Sequence, residues 1–275
     1  LTVDDQRRDV AVGLDDLQRD LGTLDRVVVA FSGGADSALL ARVAHDTLGA
    51  GRVRVVTAVS PSLAEEQLAD AEALATEWGL RWTTVSTTEM ESAAYRVNDS
   101  DRCAHCKDAL MEVLVPIAAA DGATVLLGVN VDDLADHRPG QVAATARGAR
   151  FPLADAGLTK ADVRALSRSL GLRTWDKPAA ACLASRVPYG TEVSVSVLSA
   201  VGSAEAALHL LGFADLRLRH YGDTARIEVP VERLGDVLDR REAVVEAVRS
   251  AGYGYVTLDL EGLRSGNLNL ALKAD

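Results

Sequence analysis

The stretch VVVAFSGGADSALLARVA, Val27 to Ala44, constrains the fold more than any other part of the chain. Three valines in a row suit a strand buried on both faces, as in a parallel sheet. The turn Ser32-Gly33-Gly34 follows at once, and an apolar stretch with helical spacing comes after it. A glycine pair lets the backbone turn tightly with its N–H groups outward, and the helix adds its positive N-terminal end. Ser32 and Ser37 bring hydroxyl donors to the same place, so several donors converge on one anion, and the turn reads as a phosphate cradle. Asp36 fits there once a cation is added, because a carboxylate and phosphates can share Mg²⁺. No Lys follows as in GxxxxGK[ST], and the spacing is not GxGxxG. The plain alternative is an ordinary βα turn, where Gly and Ser are common.

The same strand-and-helix alternation continues. A helix over 4–21 precedes the strand at 26–31 and the helix at 36–48. Strand 53–59, helix 62–78, strand 81–86, a helix near 104–120 and strand 124–129 come next. Strands separated by helices of this length imply parallel pairing and an α/β sheet flanked by helices. Residues 130–140 read as a polar loop ending in Pro139-Gly140. Thr159 N-caps a further helix that stops at Gly171. The segment 173–194 has no period and reads as a long functional loop. Beyond it, helix 195–211, strands 215–219 and 225–229, helix 240–251 and strand 255–260 suggest a small α+β unit, with a hairpin turn at 220–223. The expected division is therefore 1–190 and 191–275.

The net charge of −11 over 275 residues weighs against a nucleic-acid-binding surface. No apolar run is long enough to cross a bilayer and no leader opens the sequence, so a cytoplasmic protein is expected. With 48% hydrophobic but only 4% aromatic residues, the core must be built from Val, Leu and Ala. The three cysteines, Cys103, Cys106 and Cys182, are an odd number, which argues against structural disulfides. Cys103 and Cys106 form a CxxC pair whose thiolates at i,i+3 can grip one soft metal centre. A redox disulfide, or zinc with His105, would use the same pair. Arg102, Lys107, Ser185 and Arg186 flank the cysteines, where cations favour thiolate and neutralise a bound anion.

SGGADS resembles the pyrophosphatase loop of the N-type ATP pyrophosphatases, which cleave ATP to AMP and pyrophosphate. Three further stretches, DRCAHCK (Asp101–Lys107), GVNVDDLADHRPG (Gly128–Gly140) and KPAAACLASRVPYG (Lys177–Gly190), resemble the LarE family together with LRSGNLN near the C-terminus. LarE proteins are ATP-dependent sulfur transferases of nickel-pincer nucleotide biosynthesis. The resemblance implies an adenine nucleotide alpha hydrolase-like ATP pyrophosphatase fold over 1–190. Residues 191–275 would then be a smaller domain for substrate binding and assembly. ATP and Mg²⁺ would sit at Ser32, Gly33, Gly34, Asp36 and Ser37. Asp132, Asp133 and Asp136, just after a strand, could bind Mg²⁺ or orient the adenylated intermediate, and Arg138 could meet a phosphate or a substrate carboxylate. An acidic solvated loop is the plain alternative.

In the same way, Ser185, Arg217 and Arg264 would hold the small-molecule nucleotide substrate, and Glu205 and Glu228 a divalent metal. Cys103, Cys106 and Cys182 would hold a [4Fe–4S] cluster, with Lys107 and Arg186 beside them. In the family's other form a single cysteine, here Cys182, is consumed as sulfur donor. A homo-oligomer, a hexamer in this family, is expected, with no nucleic-acid or membrane partner. A tRNA-thiolating enzyme with the same loop and three cysteines, and a non-catalytic nucleotide-binding module, remain as rivals.

Overall fold

The computed structural model describes residues 3–135, 139–178 and 181–264. Contacts divide the chain into two compact units. One comprises Leu1–Ser60, Gln67–Glu89 and Cys103–Ala180; the other comprises Pro61–Glu66, Met90–Arg102 and Ala181–Asp275.

The first unit is a parallel α/β sandwich. Along the chain come α1 (Val3–Gly22), β1 (Val27–Ala30), α2 (Ala35–Leu48), β2 (Val53–Val59), α3 (Glu65–Glu77) and β3 (Arg81–Ser86). The short α4 (Ala93–Val97) belongs to the second unit. The first unit resumes with α5 (Arg102–Asp121), β4 (Thr124–Leu126), α6 (Val131–Ala135), α7 (Pro139–Ala146), α8 (Pro152–Asp155) and α9 (Lys160–Ser169). The strands lie in the order β3-β2-β1-β4, all parallel.

The three valines of β1 show how a buried strand serves two cores. Val27 and Val29 enter a cluster with Leu17, Leu21, Leu39, Leu40, Val163 and Leu166. Val28 faces the other way, onto Met111, Leu114, Ala118 and Ala144. Each fully buried valine contributes about 1.5–3 kcal/mol over an exposed one. The chain builds β1, β2 and β3 outward in one direction, then returns to place β4 on the opposite side of β1. The carboxyl ends of β1 and β4 therefore flank the topological switch point, where open α/β sheets bind ligands.

Two stretches differ from the sequence-based expectation. Where a polar loop over 130–140 is expected, Val131–Ala135 form the helix α6 and Pro139 and Gly140 begin α7. Asn130 and Asp133 cap α6 reciprocally: Asn130 N–H donates to Asp133 Oδ2 at 3.3 Å, and Asp133 N–H donates to Asn130 Oδ1 at 3.2 Å. Pro139 opens α7, where a missing N–H costs nothing. β4 ends at Leu126, earlier than expected, because the chain beyond it leaves the sheet to meet the start of α2. A Cβ on Gly128 would lie 2.9 Å from Ser37 N and 3.0 Å from the Asp36 carbonyl carbon.

The second unit contains α10 (Val195–Leu210), β5 (Arg217–Tyr221), β6 (Thr224–Glu228), α11 (Leu234–Asp239), α12 (Arg241–Ser250) and β7 (Tyr255–Leu258). β5 and β6 form an antiparallel hairpin turning at Gly222-Asp223, and β7 runs parallel to β6. Gly222 takes the left-handed conformation the tight turn requires (φ +60°). α10 packs on α12 and β5. Sheet alternation then sorts the side chains: Leu218, Ala225 and Ile227 are buried with α10 residues such as Leu198 and Val201, while Arg217, Arg219, Arg226 and Glu228 share the other face. No described helix is long and apolar enough to cross a membrane.

Candidate functional site

The turn after β1 is held by its own short side chains. Ser37 Oγ donates to Gly34 O at 3.2 Å and accepts from Ser32 N–H at 3.2 Å. Ser32 Oγ lies 3.1 Å from Ser37 Oγ and accepts from Gly34 N–H at 3.3 Å. Gly33 is buried and left-handed (φ +69°), and a Cβ there would meet Ala71 Cα of α3 at 3.2 Å. Gly34 caps α2 without a side chain, so no side chain caps the amides that open the helix. An anion at this place finds backbone donors, hydroxyls and the positive end of a helix.

Asp36 sits at the rim of this turn with two partners from the β4 side of the switch point. Its Oδ1 accepts from Asn130 Nδ2 at 3.0 Å and its Oδ2 from Lys160 Nζ at 2.5 Å. Lys160 opens α9, whose N-cap Thr159 forms a capping box with Asp162. Asp132, expected to orient an adenylate, accepts from the Lys160 backbone N–H at 2.8 Å. Carboxylate, ammonium and amide thus meet beside a helix N-terminus, a set that can bind a phosphate chain together with its cation. Lys160 and Asn130 were not anticipated. The one signal was Thr159, which marks a helix start but not the direction of the next side chain. Asp136 and Arg138 lie outside the described residues.

Cys103 and Cys106 fall near the start of α5, one exposed and the other half-buried, and neither is in a disulfide. α7 approaches this turn closely: a Cβ on Gly140 would lie 3.0 Å from Lys107 Cβ and 3.2 Å from Ala104 Cα. Cys182, likewise in no disulfide, precedes the short 3-10 turn Leu183–Arg186 in the second unit. Among the described residues no three His, Cys, Asp or Glu side chains gather as a metal-binding group.

The turn after Cys182 is tied down by remote side chains. Arg186 forms a two-pronged bond to Glu205 (Nε–Oε1 2.9 Å, Nη2–Oε2 3.1 Å) and also donates to Ala181 O and Ser185 Oγ, each at 2.9 Å. Arg219 donates to Ser185 O at 2.8 Å and to Glu228 Oε2 at 2.9 and 3.0 Å. From α4 and the following bend, Asn98 Nδ2 donates to Pro188 O and Thr191 O, both at 2.8 Å. Arg102 bonds Asn98 Oδ1 at 2.5 Å and Ala184 O at 2.7 Å. Arg102 is buried and braces this turn.

The expected divalent-metal pair, Glu205 and Glu228, meets a different geometry. Both are buried; Glu205 accepts from Arg186 and from Leu218 N–H at 2.8 Å, and Glu228 accepts from Arg219 and, at 3.0 Å, from Arg226. Their oxygens therefore hold arginines in place. Arg217 stands on the same face of β5 as Arg219 and, among the described residues, joins no ion pair. Burial, and after it the nearby Arg219 and Arg186 charges, push its guanidinium below its ordinary range. A half-buried arginine crowded by like charges is a place where an anion is welcome. Arg217 also donates to the Arg264 carbonyl at 3.4 Å, while the Arg264 side chain pairs with Glu261 at 2.5 Å. Residues 265–269 of the LRSGNLN stretch lie outside the described residues.

The first unit, a parallel sheet with a glycine turn at its switch point, has the α/β ATP pyrophosphatase fold. A family described as NAD synthase matches residues 13–111. An uncharacterized protein of Synechocystis is 46% identical over 262 residues, spanning 94% of this chain and 97% of that protein. The pyridinium-3,5-bisthiocarboxylic acid mononucleotide synthase of Lactiplantibacillus plantarum is 40% identical over 250 residues, spanning 90% of this chain and 91% of its own. A glutamine-dependent NAD(+) synthetase of Rhodobacter capsulatus matches only 83 residues, at 42% identity, or 30% of this chain and 15% of its own. The chain belongs to the family of the Lactiplantibacillus plantarum synthase, the LarE family.

Proposed function

We propose that this protein is an ATP-dependent sulfur transferase that converts a carboxylate of pyridinium-3,5-biscarboxylic acid mononucleotide to a thiocarboxylate. The observation that carries the reading is the glycine turn at the switch point, with Asp36 held by Asn130 and Lys160, in a chain akin to that synthase over nine-tenths of its length. The turn amides, Ser32, Ser37 and the start of α2 take the phosphates of ATP. Asp36 is the ligand for Mg²⁺, which when bound neutralises phosphate charge, and Lys160 supplies a second cation. A substrate carboxylate oxygen attacks the α-phosphorus, the bond to the bridging oxygen breaks, and pyrophosphate leaves. The protein's part is positioning and charge neutralisation. A sulfur nucleophile then attacks the acyl carbon, and AMP leaves with the oxygen.

Cys103, Cys106 and Cys182 carry the sulfur chemistry in this proposal. The CxxC turn of α5 fits two thiolate ligands of one centre, and Cys182 would be the third. A [4Fe–4S] cluster, if bound, would be held by these three thiolates and would supply sulfide-level sulfur for the transfer. Ser185, Arg217 and Arg264 are assigned to the substrate's phosphate and carboxylates, and Asp132 and Arg138 to the adenylated intermediate. Glu205 and Glu228 are assigned to fixing Arg186 and Arg219. Residues 1–190 would activate ATP, and residues 191–275 would bind substrate and support a cytoplasmic homo-oligomer.

Pyrophosphate release from ATP, measured with the pyridinium dicarboxylate nucleotide, with tRNA or with neither, tests the substrate. Stimulation by tRNA alone would overturn the reading. Iron content and single turnover of protein purified without oxygen test the sulfur source. Cys103→Ala, Cys106→Ala and Cys182→Ala should each lose iron and transfer together. A dehydroalanine at Cys182 in iron-free active protein would replace the cluster by sacrificial donation.

A further inference from the structure

The Gly33–Gly34 peptide has no Cβ on either side to oppose its rotation. A flip would turn the Gly33 carbonyl oxygen to where the Gly34 N–H now lies, and a carbonyl facing a phosphate repels it. Something must hold this peptide. On one side Gly34 N–H bonds Ser32 Oγ at 3.3 Å; on the other, Lys177 Nζ donates to Gly33 O at 2.9 Å. Lys177 is itself fixed by a hydrogen-bonded ion pair with Asp70 Oδ2, on the α3 turn against which Gly33 packs. Asp70 Oδ1 accepts in turn from Arg173 Nη1 at 2.8 Å, and Arg173 Nε reaches Glu77 at 3.0 Å. Burial alone would raise the Asp70 carboxyl, but the Lys177 and Arg173 hydrogen bonds and charges hold it below its ordinary value, so it is a constant anion.

We propose that Lys177 and Asp70 are positioning residues of the phosphate turn: the Asp70-held ammonium locks the Gly33–Gly34 peptide in its anion-receptive orientation. The inference rests on the reading of this turn as the ATP site and assigns it a control outside the motif. Arg173 makes the same kind of surface ion pair with Asp70 but does not touch the turn, which separates positioning from plain stabilisation.

Calorimetric titration of the whole protein with ATP and Mg²⁺, beside a melting curve of each variant, decides it. Lys177→Met should weaken ATP binding about tenfold, the scale of one lost charge-assisted hydrogen bond, with little change in melting temperature. Lys177→Arg, which keeps the cation and its donors, should recover most of the affinity. Asp70→Asn should weaken binding in the same direction, and adding it to Lys177→Met should weaken it no further. Arg173→Gln should leave affinity within about twofold, as expected for an exposed pair. Unchanged affinity in Lys177→Met overturns the proposal. So does tighter binding in Asp70→Asn, which would mean that Lys177 is a phosphate ligand held back by Asp70. Failure of the unmodified protein to bind ATP would instead overturn the assignment of the turn.

Discussion

The turn after β1 and the turn after Cys182 do comparable work by opposite means. The first is made by neighbours in sequence: Ser32, Gly34 and Ser37 bond one another within six residues. The second is a short 3-10 turn whose shape is imposed from a distance. Asn98 and Arg102 pin it from about 80 to 90 positions earlier, while Glu205 and Arg219 fix Arg186 and Ser185 from 19 and 34 positions later. The first turn keeps its inner bonds when a remote residue is lost, with Lys177 as its one described side-chain tie from outside. An imposed turn inherits the fragility of every partner.

That difference sets the largest expected effect. Glu205→Ala leaves Arg186 buried without its carboxylate, and breaking a buried pair in this way costs about 3–5 kcal/mol. Urea unfolding should show the loss; a change below about 1 kcal/mol would mean that the turn does not depend on the pair. On the other side of the comparison, Asp36→Ala removes no buried apolar contact, so the fold should survive. Pyrophosphate release should fall about 10²–10³-fold, the scale of losing one preorganised electrostatic group. Near-normal release from a well-folded variant would remove Asp36 from the Mg²⁺ role.

The same contrast explains what could be read from the residues. The parallel sheet was legible because Val27–Val29 and the later strands alternate with helices of the right length, and because the glycine turn is contiguous. Lys160 and Asn130 were not legible, since their meeting at Asp36 depends on β4 returning beside β1. The helical character of 131–135 was hidden by its polar composition, and only the Asn130–Asp133 exchange reveals its cap. Asn98 gave no signal at all. Its role rests on a left-handed backbone (φ +61°) and complete burial, neither of which has a sequence pattern.

Asn98 supplies the next, smaller effect. Asn98→Gly keeps the left-handed conformation and deletes the whole amide, with its bonds to Pro188, Thr191 and Arg102. Leaving these groups, of which only the Arg102 bond is fully buried, without their partners costs about 1–3 kcal/mol. Asn98→Ala adds backbone strain of about 1–2 kcal/mol on top. Chemical denaturation of both variants checks the order; equal loss in the two would assign the effect to the side chain alone.

The smallest effect separates the two faces of β5 within the imposed region. His220, on the face opposite Arg217 and Arg219, lies 3.1 Å through Nδ1 from Tyr253 Oη. Burial lowers the His220 pKa from its ordinary 6.5. The unfolded chain therefore binds this proton more readily, and stability is lost as pH falls through about 6.5. Tyr253 has the opposite bias: burial, then the Glu205 charge, push its phenol up to about 12 from the ordinary 10. The unfolded phenol ionises first, so stability is lost as pH rises through about 10. Melting temperature against pH should thus form a plateau between these limits. His220→Gln removes the titrating ring, so it should flatten the acid shoulder and leave the alkaline one. An acid shoulder unchanged in His220→Gln would show that the charged face of the sheet, with its arginine-bound carboxylates, sets the acid limit instead.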